Sequence, residues 1–439
     1  GQNLRRRTVK GHIRPAVCLT LALSAFCAGC ASGAGGNNGT TGGTGTPPAE
    51  ESSMNTEDRI TETGTDTGTQ PVRPDYSETD AVNIAAKINN KSAGAAVMAE
   101  SDVYTVYDPD RDSAGYYYNF YPEIIRYNGL FIVSWCSGRR NEDDFGQRIM
   151  TSYSMDLVSW SDPVILFDPA EAGDGNGAFI NSGFTVYGGR LYAYGYVCRT
   201  TGAEPGKNST LSDPVYFFRC SDDGMQWGDM TRTVRSSCYN SKKLLSGRFL
   251  TFGRGSLTSY TDRETGNTGM GLGWNDAAID MADAIKRGAG TLMESSFYQT
   301  DDGVVFMMFR TNTKKLWCSI SCNEGESWSK VYPTGFTDAI SKSRFGRLPD
   351  GRIFYVGNPF YDAGFTRNPL MLCISSDGLN FSEQYVLRNE KDYRMKVDGL
   401  FKEGDFGYPC VITDDGYMYV FYARRKETLE ITRVALKDI

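Results

Sequence analysis

The chain has 439 residues, a formal net charge of −7 and 13% aromatic residues. That is the composition of a globular protein, long enough for one large domain or two ordinary ones. The mild acidity offers no electrostatic footprint for nucleic acid, and with His12 as the single histidine neither a zinc site nor another metal or cofactor is expected.

Residues 1–30 read as a lipoprotein signal peptide. "NLRRRTVKGHIRP" is a basic leader, and "AVCLTLALSAFCAG" is an apolar run of signal-peptide length, too short to span a bilayer. The run closes on Cys27-Ala28-Gly29-Cys30, which resembles a bacterial lipobox with Cys27 where leucine is usual, so Cys30 is the expected lipidated residue. The Gly/Thr/Pro/acid stretch "ASGAGGNNGTTGGTGTPPAEESSMNTEDRITETGTDTGTQPVRP" has almost no apolar content, and residues 31–95 read as a disordered tether. The expected location is the bacterial cell surface, lipid-anchored to the membrane, or the secreted fraction. The eleven cysteines show no disulfide spacing and read as buried thiols.

From about residue 100 the pattern changes to apolar or alternating runs of strand length, separated by turn signals. The pairs Asn128-Gly129, Gly188-Gly189, Asp302-Gly303, Asp350-Gly351 and Asp415-Gly416 each join two such runs, as β-hairpins require. Their recurrence is a repeat signal. One helix is predicted, over 275–290, with Asn275 as its cap. Four stretches share a second plan: "SMDLVSW" from Ser154, "SDDGMQW" from Ser221, "SCNEGESW" from Ser321 and "SSDGLNF" from Ser375. Each has Ser, then Asp or Asn two residues on, then an aromatic six or seven on. A short acid or amide can bond the backbone of its own turn, glycine takes the left-handed position, and the aromatic packs back on the sheet. These read as β-turn staples between neighbouring strands, each aromatic packed on the sheet beneath.

The four stretches resemble the Asp-box, or BNR repeat, of sialidase-like β-propellers. The resemblance implies an all-β fold over 100–439, a propeller of six blades with seven possible. It extends to site residues. "MESSFYQTDDGVVFMMFRT" resembles the segment whose Glu and Arg enter the sialidase site, here Glu294 and Arg310. "GYPCVITDDGYMYVFYA" resembles the hairpin carrying the tyrosine nucleophile, here Tyr408. "SWCSGRRNEDDFGQR" matches the region of an arginine and the catalytic acid, giving Arg139 or Arg140 and Asp143 or Asp144. "SRFGRLPDGRIFYVGNP" offers Arg344 and Arg347 for the carboxylate-binding triad. Such a site is chemically coherent: tyrosine needs a carboxylate to take its proton, a second carboxyl protonates the leaving oxygen, and arginines grip an anionic sugar.

The chain departs from sialidases at two linked positions. Tyr121 stands where the first triad arginine is expected, and Ala423 where its supporting glutamate is expected. Weak or no release of sialic acid follows. The segments "RNEDDFGQR" and "YARRKETLEITRV" are more similar to a related group containing rhamnosidases and rhamnose–glucuronate lyases. The expected function is a monomeric, exo-acting glycoside hydrolase on an acidic glycan. The alternatives are a polysaccharide lyase of the same fold and a non-catalytic glycan-binding propeller.

Overall fold

The computed structural model describes residues 76–439 apart from 93, 112–114, 174, 202–209, 234–239, 253–256, 262–273 and 363. The expected signal peptide, Cys30 and the tether up to residue 75 lie outside the described residues.

The predicted hairpins assemble into six sheets around one axis, a six-bladed β-propeller. Blade 1 runs outward through Tyr118–Tyr127, Leu130–Gly138, Arg148–Ser154 and Val164–Phe167. Blade 2 begins with Ala178–Tyr187 and blade 3 with Lys242–Lys243. Blade 4 comprises Leu292–Gln299, Val305–Thr311, Lys315–Ser321 and Tyr332–Thr337. Blade 5 comprises Arg344–Arg347, Ile353–Gly357, Leu370–Ser375 and Glu383–Arg388. Blade 6 takes Phe406–Asp414, Tyr417–Arg424 and Thr428–Ala435 from the C-terminus and its outermost strand, Asp102–Tyr107, from the N-terminal side. This pairing of distant strands closes the ring. The core is the apolar packing between blades, such as Phe120, Ile124, Val133 and Trp135 of blade 1 with Cys410, Phe421 and Ile431 of blade 6.

Each blade's first hairpin turn lies at one end of the barrel. Asn128 and Gly129 (φ +46° and +77°) and Asp415 and Gly416 (φ +45° and +76°) adopt the left-handed pair that a two-residue hairpin needs. The Asp-box turns lie at the same end. Asp156 Oδ1 accepts from the amides of Val158 and Ser159 at 2.9 and 2.7 Å, Asp223 Oδ1 from Met225 and Gln226 at 2.8 Å each, and Asp377 Oδ1 from Leu379 and Asn380 at 2.8 Å each. Asn323 Oδ1 accepts from Ser327 N at 2.9 Å. The aromatics differ from expectation: Phe381 is buried, but Trp160, Trp227 and Trp328 are half-buried. The boxes also lock neighbouring blades. Trp328 Nε1 donates to Thr258 Oγ1 at 2.9 Å, and Tyr298 Oη donates to the Gly378 carbonyl at 2.6 Å.

Two predicted elements need correction. The tether set at 31–95 includes the helix Glu78–Lys87, whose N-terminus is closed by a capping box between Ser77 and Asp80. Ala81, Ala85 and Ile88 bury against Tyr298, Phe336 and Phe381 of blades 4 and 5; Asn89 bonds Leu379 and Phe381 in the Asp-box segment of blade 5, and Asn90 bonds Thr337 in the outermost strand of blade 4. The helix predicted over 275–290 starts later. Trp274–Ala278 is the outer strand of blade 3, and the helix follows, an α-helical turn over Met281–Ala284 with Asp280 as its cap, continued by a π-helical turn over Ile285–Ala289 that ends at Gly290. Sheet pairing outcompetes the helical propensity of "NDAA".

Candidate active site

The innermost strands converge at the axis, and several break register there. Bulges fall between Phe120 and Glu123 in blade 1, Leu292 and Ser295 in blade 4, and Gly407 and Cys410 in blade 6. A bulge re-aims the extra side chain, and these three carry Tyr121, Glu294 and Tyr408. Tyr121 and Tyr408 have φ of +52° and +57°, a conformation rare for an aromatic residue and typical of strained functional positions.

Tyr408 Oη donates to Glu294 Oε1 at 2.6 Å. Arg310 Nη1, near the end of blade 4's second strand, donates to Glu294 Oε2 and to Tyr408 Oη, each at 2.9 Å. All three side chains are largely buried. Burial by itself would raise the Glu294 carboxyl, but the Arg310 charge and the Tyr408 hydrogen bond outweigh it and hold it at about 2. Burial, then the Glu294 charge, push the Tyr408 phenol well above its usual value, against the pull of Arg310. The resting pair is therefore a neutral tyrosine donating to an ionised glutamate.

Aromatic rings wall the pair. The Phe120 ring lies 4.1 Å from that of Tyr408, and Tyr121 meets it edge-on at 5.0 Å. Beneath them, Lys342 Nζ sits 5.4 Å from the Tyr408 ring centre and pairs at 3.2 Å with Glu123, both buried. Cys410 Sγ donates to the other Glu123 oxygen at 3.1 Å.

The other expected residues are dispersed. Asp143 is half-buried with φ +53°, and its Oδ1 accepts from Gln147 Nε2 at 3.4 Å. Its charge bears on Tyr118 and Tyr121. Asp144 is buried and caps its own loop, accepting from Asn141 Nδ2 and Phe145 N at 2.8 Å each. Arg139 and Arg140 are exposed on that loop, Arg139 over the Tyr116 ring and Arg140 donating to the Asp398 carbonyl. Arg344 is buried in the innermost strand of blade 5, where its charge bears on Lys242 and Cys410. Arg347 is a correction. It lies at the hairpin end of its strand, paired with the exposed Asp301 and away from the axial cluster.

Three charged residues at the site were missed in the sequence. Arg367 (φ +50°) places its guanidinium carbon 5.8 Å from the Tyr408 ring centre. A Cβ at Gly404 would lie 2.8 Å from Arg367 Cδ, so glycine makes the room. Arg367 Nε and Nη1 are buried without a hydrogen-bond partner among the described residues. Glu142, paired with Lys426 at 2.9 Å, adds negative charge near Tyr408. Asp338 is fully buried, and burial pushes its carboxyl up to about 7 against the opposing charges of Arg310 and Arg367 and the amides of Ser341 and Ile340. All three lie in irregular connections, where no periodicity signals orientation.

A six-bladed propeller with a tyrosine, glutamate and arginine bonded at its axis has the architecture of the sialidase-like propellers. Residues 129–420 match the family model described as a BNR repeat-like domain, and the chain belongs to that family. No curated protein matches the chain. Among solved structures it is similar to a sialidase at 18% identity and TM-score 0.57, covering 80% of this chain and 35% of that one. It is also similar to a protein of unknown function from Dyadobacter fermentans (14%, TM-score 0.57, 76% of this chain and 98% of that one). The K499G mutant of the NanB sialidase from Streptococcus pneumoniae is a third (14%, TM-score 0.55, 77% and 71%). At these identities the likeness is one of fold.

Proposed function

We propose that this protein is a glycan-acting enzyme, a glycoside hydrolase that attacks an acidic glycan with Tyr408. The observation that carries the reading is the 2.6 Å bond from Tyr408 Oη to an ionised Glu294, with Arg310 Nη1 2.9 Å from the same phenol oxygen. As Oη bonds to the anomeric carbon, its proton passes along that bond to Glu294, and Arg310 stabilises the negative charge developing on oxygen. The leaving oxygen takes a proton from a second carboxyl, for which Asp143 is our candidate. Water then releases the glycosyl group from Tyr408, as in the tyrosine-nucleophile exception that sialidases make to the two-carboxylate scheme. Arg310 and Arg367 supply the cationic contacts for a substrate anion. Tyr121 supplies an aromatic wall instead of a guanidinium, which supports weak or no cleavage of sialic acid.

The test is Tyr408→Phe on a panel of uronate-containing glycans. The expected loss in kcat is ~10⁴-fold or more with folding intact, whereas a lost binding contact costs ~10- to 100-fold. An unchanged rate on a cleaved glycan would remove the nucleophile assignment. An unsaturated product absorbing in the near ultraviolet would make the protein a lyase, and binding without turnover would make it a glycan-binding propeller.

A further inference from the structure

We propose that Asp338 is a positioning residue that holds the arginine-bearing segments of the axial site and, by ionising, competes with the anionic group of the ligand. The proposal rests on the reading of that site as one for acidic sugars.

Asp338 follows the outermost strand of blade 4, in the crossover to blade 5. Its amide donates at 3.0 Å to the carbonyl of Lys314, in the turn directly after the strand of Arg310. The next amide, Ala339, donates at 2.8 Å to the carbonyl of Asn358, and Asn358 Nδ2 donates to the carbonyls of Arg367 and Pro369 at 2.8 and 3.2 Å. One short crossover therefore fixes the segments carrying both Arg310 and Arg367. Ile340 within it has φ +57°, a costly conformation for a β-branched residue, and Ser341 N donates to Asp338 Oδ2 at 3.3 Å.

The polar atoms around Asp338 are unusual for a structural loop. Asp338, Ser341, Tyr355 and Asn358 are each at most 1% exposed. Asp338 Oδ1, Ser341 Oγ, Tyr355 Oη and Asn358 Oδ1 form no hydrogen bond among the described residues, and neither do Arg310 Nε or Arg367 Nε and Nη1. Buried polar atoms are nearly always paired, and these acceptors and donors lie in the segments that border the axial site.

Charge balance suggests that role. Among the charges bearing on Tyr408, Arg310 and Arg367 are positive, and Glu294 offsets one of them. Lys342 is paired with Glu123 and Lys426 with Glu142. The charged or titratable side chains bearing on Asp338 are Arg310 from blade 4, Arg367 from the loop before Leu370–Ser375, and Tyr355 from the second strand of blade 5. With Asp338 neutral, one guanidinium charge is free for a ligand anion. With Asp338 ionised, that charge is already compensated. Its carboxyl, raised to about 7 by burial, changes state near neutrality, and there is no histidine among the described residues.

The experiment is calorimetric titration of the full chain with D-glucuronate between pH 6 and 8, for the wild type and Asp338→Asn. If ligand and carboxylate exclude one another, wild-type affinity falls about tenfold across that range, while Asp338→Asn binds at pH 8 as the wild type does at pH 6. Infrared difference spectra should show a protonated-carboxyl band that titrates in the same range and is missing in Asp338→Asn. A flat wild-type profile, a slope that survives Asp338→Asn, or no glucuronate binding at any pH overturns the proposal. The wild-type slope and infrared band remain decisive if the variant folds poorly. Retained pH-dependent binding with no turnover of any glycan would instead sink the hydrolase reading and leave this one standing.

Discussion

Glu294→Gln offers the sharpest test of the electrostatics at the axis. The amide keeps the shape of the carboxylate but has one acceptor where Glu294 uses two, toward Tyr408 Oη and Arg310 Nη1. With its oxygen toward Tyr408 its NH2 group faces the Arg310 guanidinium, donor to donor; turned the other way, Tyr408 Oη must stop donating and accept from that NH2. Holding the wild-type carboxyl from its free value of 4.5 down to about 2 corresponds to ~3 kcal/mol of stability at neutral pH. Removing one partner of a largely buried ion pair independently suggests ~3–5 kcal/mol. The sign follows from the direction of the shift. A depressed carboxyl contributes its stability above the unfolded value of 4.5 and loses it as pH falls toward 2. Urea denaturation should therefore give Glu294→Gln a deficit of ~3 kcal/mol at pH 7, narrowing to ~1.5 kcal/mol at pH 3. Turnover should fall by orders of magnitude because the phenol has lost its base. A deficit independent of pH, or a variant more stable than the wild type at pH 7, would refute the ionised Glu294 held by Arg310.

Arg367→Met should raise KM for an anionic glycan ~10- to 100-fold while changing kcat less, as expected for a lost ground-state contact, and steady-state kinetics on paired charged and neutral substrates separate the two. Gly224→Val places a branched residue at φ +79°, where a Cβ would lie 2.4 Å from Ile132 Cδ1 of the preceding blade; a loss of ~3 kcal/mol is expected by chemical denaturation, with activity per folded molecule unchanged. Cys30→Ser should abolish lipid attachment and shift the protein from membrane to soluble fractions; unchanged membrane partition would end the lipoprotein proposal.

What was legible in the sequence was local. A hairpin turn needs two residues and an Asp-box eight, so both announce themselves within one window. The Glu294, Arg310 and Tyr408 positions could be named because each falls at a strand end within a matching segment. The misses have physical reasons. Arg344 and Arg347 were offered together, yet residues three apart on a strand point to opposite faces, and the structure separates them. Asp338 comes under the charge of Arg367 only when blades 4 and 5 pack together, and nothing in "FTDAIS" or "GFTRNP" anticipates that. The helix Glu78–Lys87 does carry a signal: Ala81, Ile84, Ala85 and Ile88 are spaced i, i+3, i+4, i+7. The Thr- and Gly-rich segment before it masked this.

The left-handed non-glycine residues show how the two ends of the propeller differ. Four of them, Asn128, Leu157, Glu324 and Asp415, lie at the hairpin and Asp-box end, where each belongs to a two-residue turn or a box. Leu157 takes the place that glycine holds in two other boxes, so its strain is that of the repeat. At the other end, Tyr121, Asp143, Ile340, Arg367 and Tyr408 adopt the same conformation in bulges and long connections, facing or flanking the Tyr–Glu–Arg cluster. Backbone strain of about 1–3 kcal/mol per residue persists only where the surroundings over-determine it. Boxes that bolt blade to blade at one end supply that rigidity. They let the opposite end carry bulges, unpaired buried donors and a carboxyl raised by burial without the ring opening. Changes of ligand within this family should therefore be sought in the connections 139–147, 338–343, 358–369 and 389–405, and not in the repeats by which the fold is recognised.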